Sequence, residues 1–546
     1  MNNLQNFNNI YANIAESSYN SRPKNFPLYS VNKKEKYLNF SENAISEKTG
    51  EIQVKAGKNL PNNGIAYLQP DLTLHDEPIK TTLTIPNPNG GYHNENYTTK
   101  SYQKGLLTDE KAGFNAYFVT DTPQLTTETK NTYLSIRGSD SYTNLGNVLN
   151  DWLANDANFA LTNAYIPQAK LANQAIQQKV KDLQNQAPNA QLNITGHSLG
   201  TMISAQAVAK FYHDFPNSAD RLGKVVLFDG PDVTQSLKNM GLSEEEMEKL
   251  GEKVTYYVNP FDLVSMLNRT ESLDKQFGNV HVIVPRNFGT TFDTPSSHDF
   301  GAFQIQENGE FLVATKDFHP ELLEAGNQLA HLLQETVSKL EKTVGVGLPV
   351  SVLVTALTNG INGLTALGFT TRKAKELIDA FTKEYGLIIK NTKTKTLKWD
   401  ERHIPMYQQR IRSSSSAQKI SLRSQLLQTV AQTAILQAEE YKNEITTMLN
   451  EEKEKVQQTI KETREAIYHM VQYLDAWEVE ELLAEFTIRN LWDVGIEENT
   501  NKSVVEYFKQ MEDFSIGLVN VSQHIQEVDK DGAIGFKNIM NLSWRN

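Results

Sequence analysis

The 546-residue chain contains no cysteine. That absence excludes disulfide bridges, cysteine-ligated zinc, iron–sulfur clusters and thiol nucleophiles together. The fold has to be held by apolar cores. Met1 to Asn20 lacks a basic stretch, an apolar run and a small-residue cleavage site, so no Sec signal peptide is expected. A cationic excess is missing as well: 53 Lys and Arg face 65 Asp and Glu, a net charge of −12. Phosphate binding needs clustered cations, which argues against nucleic acid as the main partner. Proline and glycine are absent from Met406 to Val494, so nothing there interrupts a helix. Charge is absent from the 29 residues Thr343–Thr371, long enough to span a bilayer. Five glycines, a proline and two asparagines interrupt that run. A buried helical hairpin turning at Gly360–Gly363 is the preferred reading, with a membrane-inserting or partner-binding segment as the alternative.

What is present divides near residue 320. At roughly 150 residues per domain, the length calls for more than one domain. Before the division, β-type runs alternate with helical stretches. The strands expected are Ala116–Thr120, Thr132–Arg137, Gln191–Thr195, Lys224–Phe228, Lys253–Val258 and Asn279–Pro285. Leu161–Leu183 and Leu199–Tyr212 read as helices. That alternation predicts a mostly parallel sheet covered by helices on both faces over residues 1–318. Beyond it, Ile420, Leu427, Val430, Ala434, Ala438, Tyr441, Ile445 and Met448 recur at helical spacing. An elongated all-α domain is expected over 319–546, with a local break at Ser413–Ser416. An unbroken helix from Ser421 to Glu485 would run about 100 Å. Its apolar stripe needs a covering helix, from this chain or another.

One motif carries chemistry. Gln191–Gly200 reads QLNITGHSLG and contains Gly196-His197-Ser198-Leu199-Gly200, a G-x-S-x-G pattern between an expected strand and an expected helix. A sharp strand-to-helix turn strains the backbone at the serine. Side chains two positions either side would collide, and Gly196 and Gly200 remove them. Ser198 is therefore the candidate nucleophile, against the plainer reading of a glycine-rich βα turn. A serine nucleophile needs a base and a group to orient it, in the chain order Ser, acid, His. Asp262, in the loop after Lys253–Val258, is the preferred acid; Asp229 is its rival and Asp232 a third option. His298 is the preferred base, with His319 as runner-up. His281 lies within an expected strand, and Asp299 reads as a solvated charge. The oxyanion requires donors. The Leu199 N–H supplies one, and the Gly138-Ser139 loop after Thr132–Arg137 supplies the other. Arg137 reads as a brace for that loop. No metal site or cofactor is expected.

LSIRGS, Asn150-Asp151-Trp152, NITGHSLG, the Asn-Pro-Phe-Asp-Leu-Val segment and the late histidine together resemble the class 3 lipase family of α/β-hydrolases, over roughly Asn8–Phe303. That resemblance implies an Arg-Gly-Thr/Ser oxyanion strand, a lid within Tyr142–Phe159, and ester hydrolysis on lipids by Ser198, His298 and Asp262. Asp262-Leu263-Val264 departs in part from the family's Asp-Pro-Val. A lipase domain followed by a long helical domain resembles the type VII-secreted antibacterial lipase toxins of Gram-positive bacteria, whose helical domain is LXG-like. This second resemblance implies a phospholipase secreted without a Sec signal and acting on target-cell membranes. It also implies small helical partner proteins and a cognate immunity protein. The helical half contains no Tyr-x-x-x-Asp/Glu secretion motif. Two alternatives stand beside it: a cytoplasmic carboxylesterase with a helical oligomerisation domain, and a non-catalytic secreted protein with a relic hydrolase fold.

Overall fold

A computed structural model describes residues 8–18, 36–39, 65–88, 90–138, 165–285, 288, 297–298, 300–303, 311–344, 372–471 and 473–543. Ser139, Asn150–Trp152, the expected lid, Asp299 and nearly all of Thr343–Thr371 lie outside them. The chain forms two compact units, Met1–Lys395 and Thr396–Asn546.

The first unit is built on an eleven-stranded mixed sheet. One part of it is parallel: β7 (Asn131–Ile136), β8 (Gln191–His197), β9 (Leu222–Phe228), β10 (Val254–Val258) and β11 (Asn279–Val282) lie side by side in chain order. α2 (Pro167–Gln186) joins β7 to β8, and α3 (Leu199–Asp214) joins β8 to β9. Parallel neighbours need such crossovers. α4 (Thr234–Asn239) and α5 (Glu244–Gly251) stand between β9 and β10. The Ser243 hydroxyl and Glu246 cap α5 reciprocally. All six residues of β7 are buried, as expected where both faces are covered.

One face packs against α1 (Asn8–Ser17). Ile10, Tyr11 and Ile14 join Tyr133, Val226, Phe228, Tyr257, Phe300, Phe303 and Phe311 in a single apolar cluster. Val226 and Phe228 point the same way because side chains alternate along a strand. On its other side the sheet continues antiparallel from β7 through β6 (Phe114–Thr120), with β1 (Lys36–Asn39) and β2 (Ile65–Gln69) attached there. β3 (His75–Pro86) and β4 (Tyr92–Lys104) form a long hairpin reached through β5 (Thr108–Asp109). Sequence reading missed that hairpin. It turns at Gly90 and Gly91, both at positive φ. The layers are those of an α/β-hydrolase.

α6 (Pro320–Val344) follows, burying Leu322, Leu329, Leu333 and Leu340. These positions recur at helical spacing. α7 (Arg372–Ser413) begins in the first unit and ends in the second. In the second unit α8 (Ser416–Met470) and α11 (Val494–Ser543) pair along their lengths, with α9 (Ala476–Leu482) and α10 (Ile488–Leu491) between. The break expected at Ser413–Ser416 separates α7 from α8. α8 stops at Met470, short of Glu485, because Asp475 and Glu478 form a capping box that starts a new helix. Ala431, Ile435, Leu436 and Ala438 are buried, and the Ser424 and Ser522 hydroxyls meet at 2.6 Å. Among the described residues no helix is long and apolar enough to cross a membrane.

Candidate active site

Ser198 stands at the turn from β8 into α3 with φ +59° and ψ −130°. A positive φ is costly for a residue bearing a Cβ, so the surroundings have to enforce it. Its N–H is fixed to the Phe228 carbonyl at 3.0 Å. Both glycines are sterically required. A Cβ on Gly196 would lie 2.6 Å from the Gly200 carbonyl oxygen. One on Gly200 would lie 2.2 Å from the Ile136 carbonyl oxygen and 3.1 Å from the Gly138 nitrogen. The end of β7 is therefore pressed against the first turn of α3. Gly138 thus lies against the start of α3, where the first N–H groups lack an intrahelical acceptor.

His298 lies close to Ser198. Its Nε2 is 2.9 Å from Ser198 Oγ and its Nδ1 is 2.8 Å from Asp262 Oδ2. The three side chains form one chain of hydrogen bonds, although 36 and 100 residues separate His298 from its partners. Asp262 is almost fully buried, and His298 keeps 14 % of its side chain exposed. Asp262 also accepts from the Ser265 N–H at 2.8 Å, the Ser265 hydroxyl at 2.5 Å and the Val264 N–H at 3.2 Å. These donors stabilise the carboxylate and fix its orientation.

His197 packs beside His298. Its Nε2 is 3.1 Å from the His298 carbonyl oxygen, and its ring packs on those of His298 and Phe300 at 4.8 Å. Asp232 receives the Thr234 N–H and hydroxyl, a local turn beside α4. His281 stacks on Tyr257, and His319 pairs with buried Glu321. Arg137 is buried at the end of β7. Asp229, the rival acid, is also at the site. A carboxylate oxygen of Asp229 and a ring nitrogen each of His197 and His298 lie within 4.8 Å of one another. Hydrogen bonds engage both ring nitrogens of His298 and the Nε2 of His197.

Supporting residues that sequence reading missed surround the acids. The buried Arg269 guanidinium donates to the carbonyls of Ser265 and Gly230, tying the two acid-bearing loops together. It also bonds Gln276 and lies over the Tyr256 ring. The Tyr385 hydroxyl, from α7, donates to the Phe261 carbonyl next to Asp262. Ser265 was legible in principle, since a hydroxyl three residues after an aspartate commonly closes a local turn. Arg269 and Tyr385 carry no local signal.

Residues 133–271 match the family model for class 3 lipases. No curated protein and no solved structure matches the chain. The matched stretch holds the strand end, the elbow and Asp262. The match supports a class 3 lipase domain over residues 133–271 and, with it, a lipase-type ester hydrolase.

Proposed function

We propose that Ser198, His298 and Asp262 form the catalytic triad of a phospholipase A that cleaves acyl esters of membrane glycerophospholipids. The observation that carries the triad is the unbroken Ser198–His298–Asp262 hydrogen-bond chain behind a serine at positive φ. Ser198 Oγ attacks the acyl carbonyl while His298 Nε2 takes its proton. Asp262 holds the Nδ1–H tautomer and offsets the imidazolium charge. The tetrahedral oxygen is met by backbone donors of Leu199 and the Gly138-Ser139 segment. Collapse expels the alcohol, which takes the proton from His298. Water then repeats the sequence on the acyl-enzyme.

Purified full-length protein and Ser198→Ala are compared on phosphatidylcholine and phosphatidylglycerol vesicles and on diacylglycerol emulsions. Fatty-acid release from vesicles by wild type alone is the expected result. Equal release from both proteins removes Ser198 from the reaction, and release from diacylglycerol alone removes the phospholipid reading.

The order of a lipase domain followed by a long helical unit is what supports an antibacterial role outside the producing cell, with an immunity protein guarding the producer. Expression of wild type in an unprotected bacterium should then arrest growth, and expression of Ser198→Ala should not. Apolar residues left open on the second unit support small helical partners there. Tyr441, Ile445, Ile496, Val504 and Tyr507 line a groove between α8 and α11. Tyr473, Trp477 and Leu482 are largely exposed. Co-expression of the full chain with small helical proteins encoded beside it should give a stable complex that Tyr441→Glu weakens.

A further inference from the structure

Two carboxyl groups, not one, are buried beside His298. Asp229 ends β9 and Asp262 follows β10, the neighbouring parallel strand. Both side chains are almost inaccessible. One hydroxyl joins them: Ser265 Oγ lies 2.5 Å from Asp262 Oδ2 and 3.0 Å from Asp229 Oδ1. A serine hydroxyl has a single hydrogen and can donate once. Two ionised carboxylates would both demand it, and one contact would then set oxygen lone pairs against each other. The shorter contact marks Asp262 as the acceptor of that hydrogen. The contact to Asp229 then requires a proton on Asp229 itself.

We infer that Asp229 is a second acid of the site, a neutral carboxylic acid that donates a hydrogen bond to Ser265 and through it fixes the triad carboxylate Asp262. It is a positioning residue, and the inference rests on the triad reading above. The rest of its surroundings agree. Asp229 Oδ1 also accepts the Asn259 N–H at 2.9 Å, while Oδ2 is buried with no hydrogen-bond partner among the described residues. A bare carboxylate oxygen in that position would be costly, whereas a neutral carboxyl tolerates it. The Asp229 backbone is held at φ +50°, with its N–H on the Tyr257 carbonyl at 2.9 Å. The charged or titratable groups facing it are Asp262, His298, His197 and Arg269. The Arg269 guanidinium is directed at the Gly230 and Ser265 carbonyls and at Gln276, and forms no ion pair with Asp229. Burial and the Asp262 charge both push the Asp229 carboxyl above the ordinary carboxylate range. The pair therefore carries one negative charge, located on the carboxylate that meets His298, and Asp229 adds a donor without adding a charge.

Infrared difference spectra of full-length wild type against Asp229→Asn, recorded between pH 5 and pH 10, test this directly. Wild type should show the carbonyl stretch of one protonated carboxylic acid at neutral pH, shifted in heavy water and absent from the variant. The band should disappear only in alkaline solution. Initial rates on a chromogenic short-chain ester give the second readout. Asparagine can still donate to Ser265, so Asp229→Asn should lower kcat by about threefold, while Asp229→Ala, which cannot, should lower it by about thirtyfold, each at nearly constant KM. A missing band at neutral pH overturns the inference. So does a loss in Asp229→Asn as large as that in Asp262→Asn, which would make Asp229 a charged acid. An Asp229→Ala protein as active as wild type overturns the positioning role. The band needs no turnover, so it stands or falls separately from the triad, which Ser198→Ala tests.

Discussion

Replacing Asp262 by asparagine removes one charge and no heavy atom. The side chain has two orientations, and its neighbours choose between them. Oδ2 accepts the Ser265 N–H and hydroxyl as well as the His298 Nδ1–H, whereas Oδ1, among the described residues, accepts only the Val264 N–H at 3.2 Å. The amide oxygen should therefore take the Oδ2 position, leaving the NH2 against the weakest donor. The His298 tautomer and the hydrogen-bond chain then survive, and the loss is the attraction between carboxylate and imidazolium. With Nδ1 and Oδ2 2.8 Å apart, the charge centres are about 4 Å apart, and an effective dielectric constant of about 20 gives about 4 kcal/mol. That energy acts only once His298 has taken the proton, so it belongs to the transition state. At about 1.4 kcal/mol per decade, kcat should fall about 10³-fold with KM nearly constant. Initial rates on a chromogenic short-chain ester measure both parameters without a lipid interface. A fall of less than tenfold would refute the electrostatic role of Asp262.

Three further outcomes follow from the same geometry. Gly200→Ala drives a methyl group into the Ile136 carbonyl and Gly138; the elbow has to open, activity should be lost, and stability should drop by about 2 kcal/mol or more in denaturant melts. Tyr385→Phe leaves the buried Phe261 carbonyl without its donor; denaturant unfolding should show a loss of about 1–3 kcal/mol, and kcat should fall with it because Asp262 is the next residue. Burial, then the Asp262 charge, push the Asp229 carboxyl up to about 8 in the folded protein, against about 4 when unfolded. The folded state holds the extra proton between those values, so its stability falls as pH rises through that window and is lowest above it. Asp229→Asn abolishes that term, and the stability difference between variant and wild type should grow in the variant's favour by about 1.4 kcal/mol per pH unit across the window.

Much of the parallel sheet was legible because its signals are local. β6 to β10 are short apolar runs between turn residues, and each expected strand overlaps an observed one. The nucleophile turn was legible because Gly196 and Gly200 mark positions where a Cβ collides with backbone. The β3–β4 hairpin was not, since most of β3 is exposed and no apolar alternation marks a buried side. The choice between Asp229 and Asp262 lay beyond local pattern, because both end a parallel strand and the two carboxyls share Ser265. What separates them is where His298 arrives, a contact spanning 36 residues. Tyr385 is 124 residues from Phe261, and no periodicity reports such a pairing. The end of α8 at Met470 was readable in principle from Asp475 and Glu478, a capping pair inside a stretch free of glycine and proline.

The loop that carries Asp262 is covered by chain beyond residue 318. Gly326 in α6 lies against it: a Cβ there would stand 3.1 Å from the Met266 sulfur and 3.6 Å from Pro260 Cβ. Tyr385 in α7 bonds the Phe261 carbonyl. Leu322, Leu329, Leu333 and Leu340 bury one stripe of α6, and Ile378 and Phe381 are buried on α7. At about 1.5–3 kcal/mol per buried large apolar side chain, the four leucines alone contribute about 6–12 kcal/mol before ordering costs. That is comparable to the whole stability of an ordinary domain. A fragment ending at residue 318 keeps Ser198, Asp262 and His298 yet strips the cover from the acid loop. It should lack a cooperative thermal transition and ester hydrolysis, while one ending at residue 395 should show both. Calorimetry and ester kinetics on the two fragments decide the matter. A stable, active 318-residue fragment would mean that α6 and α7 rest on a hydrolase able to hold its acid loop without them.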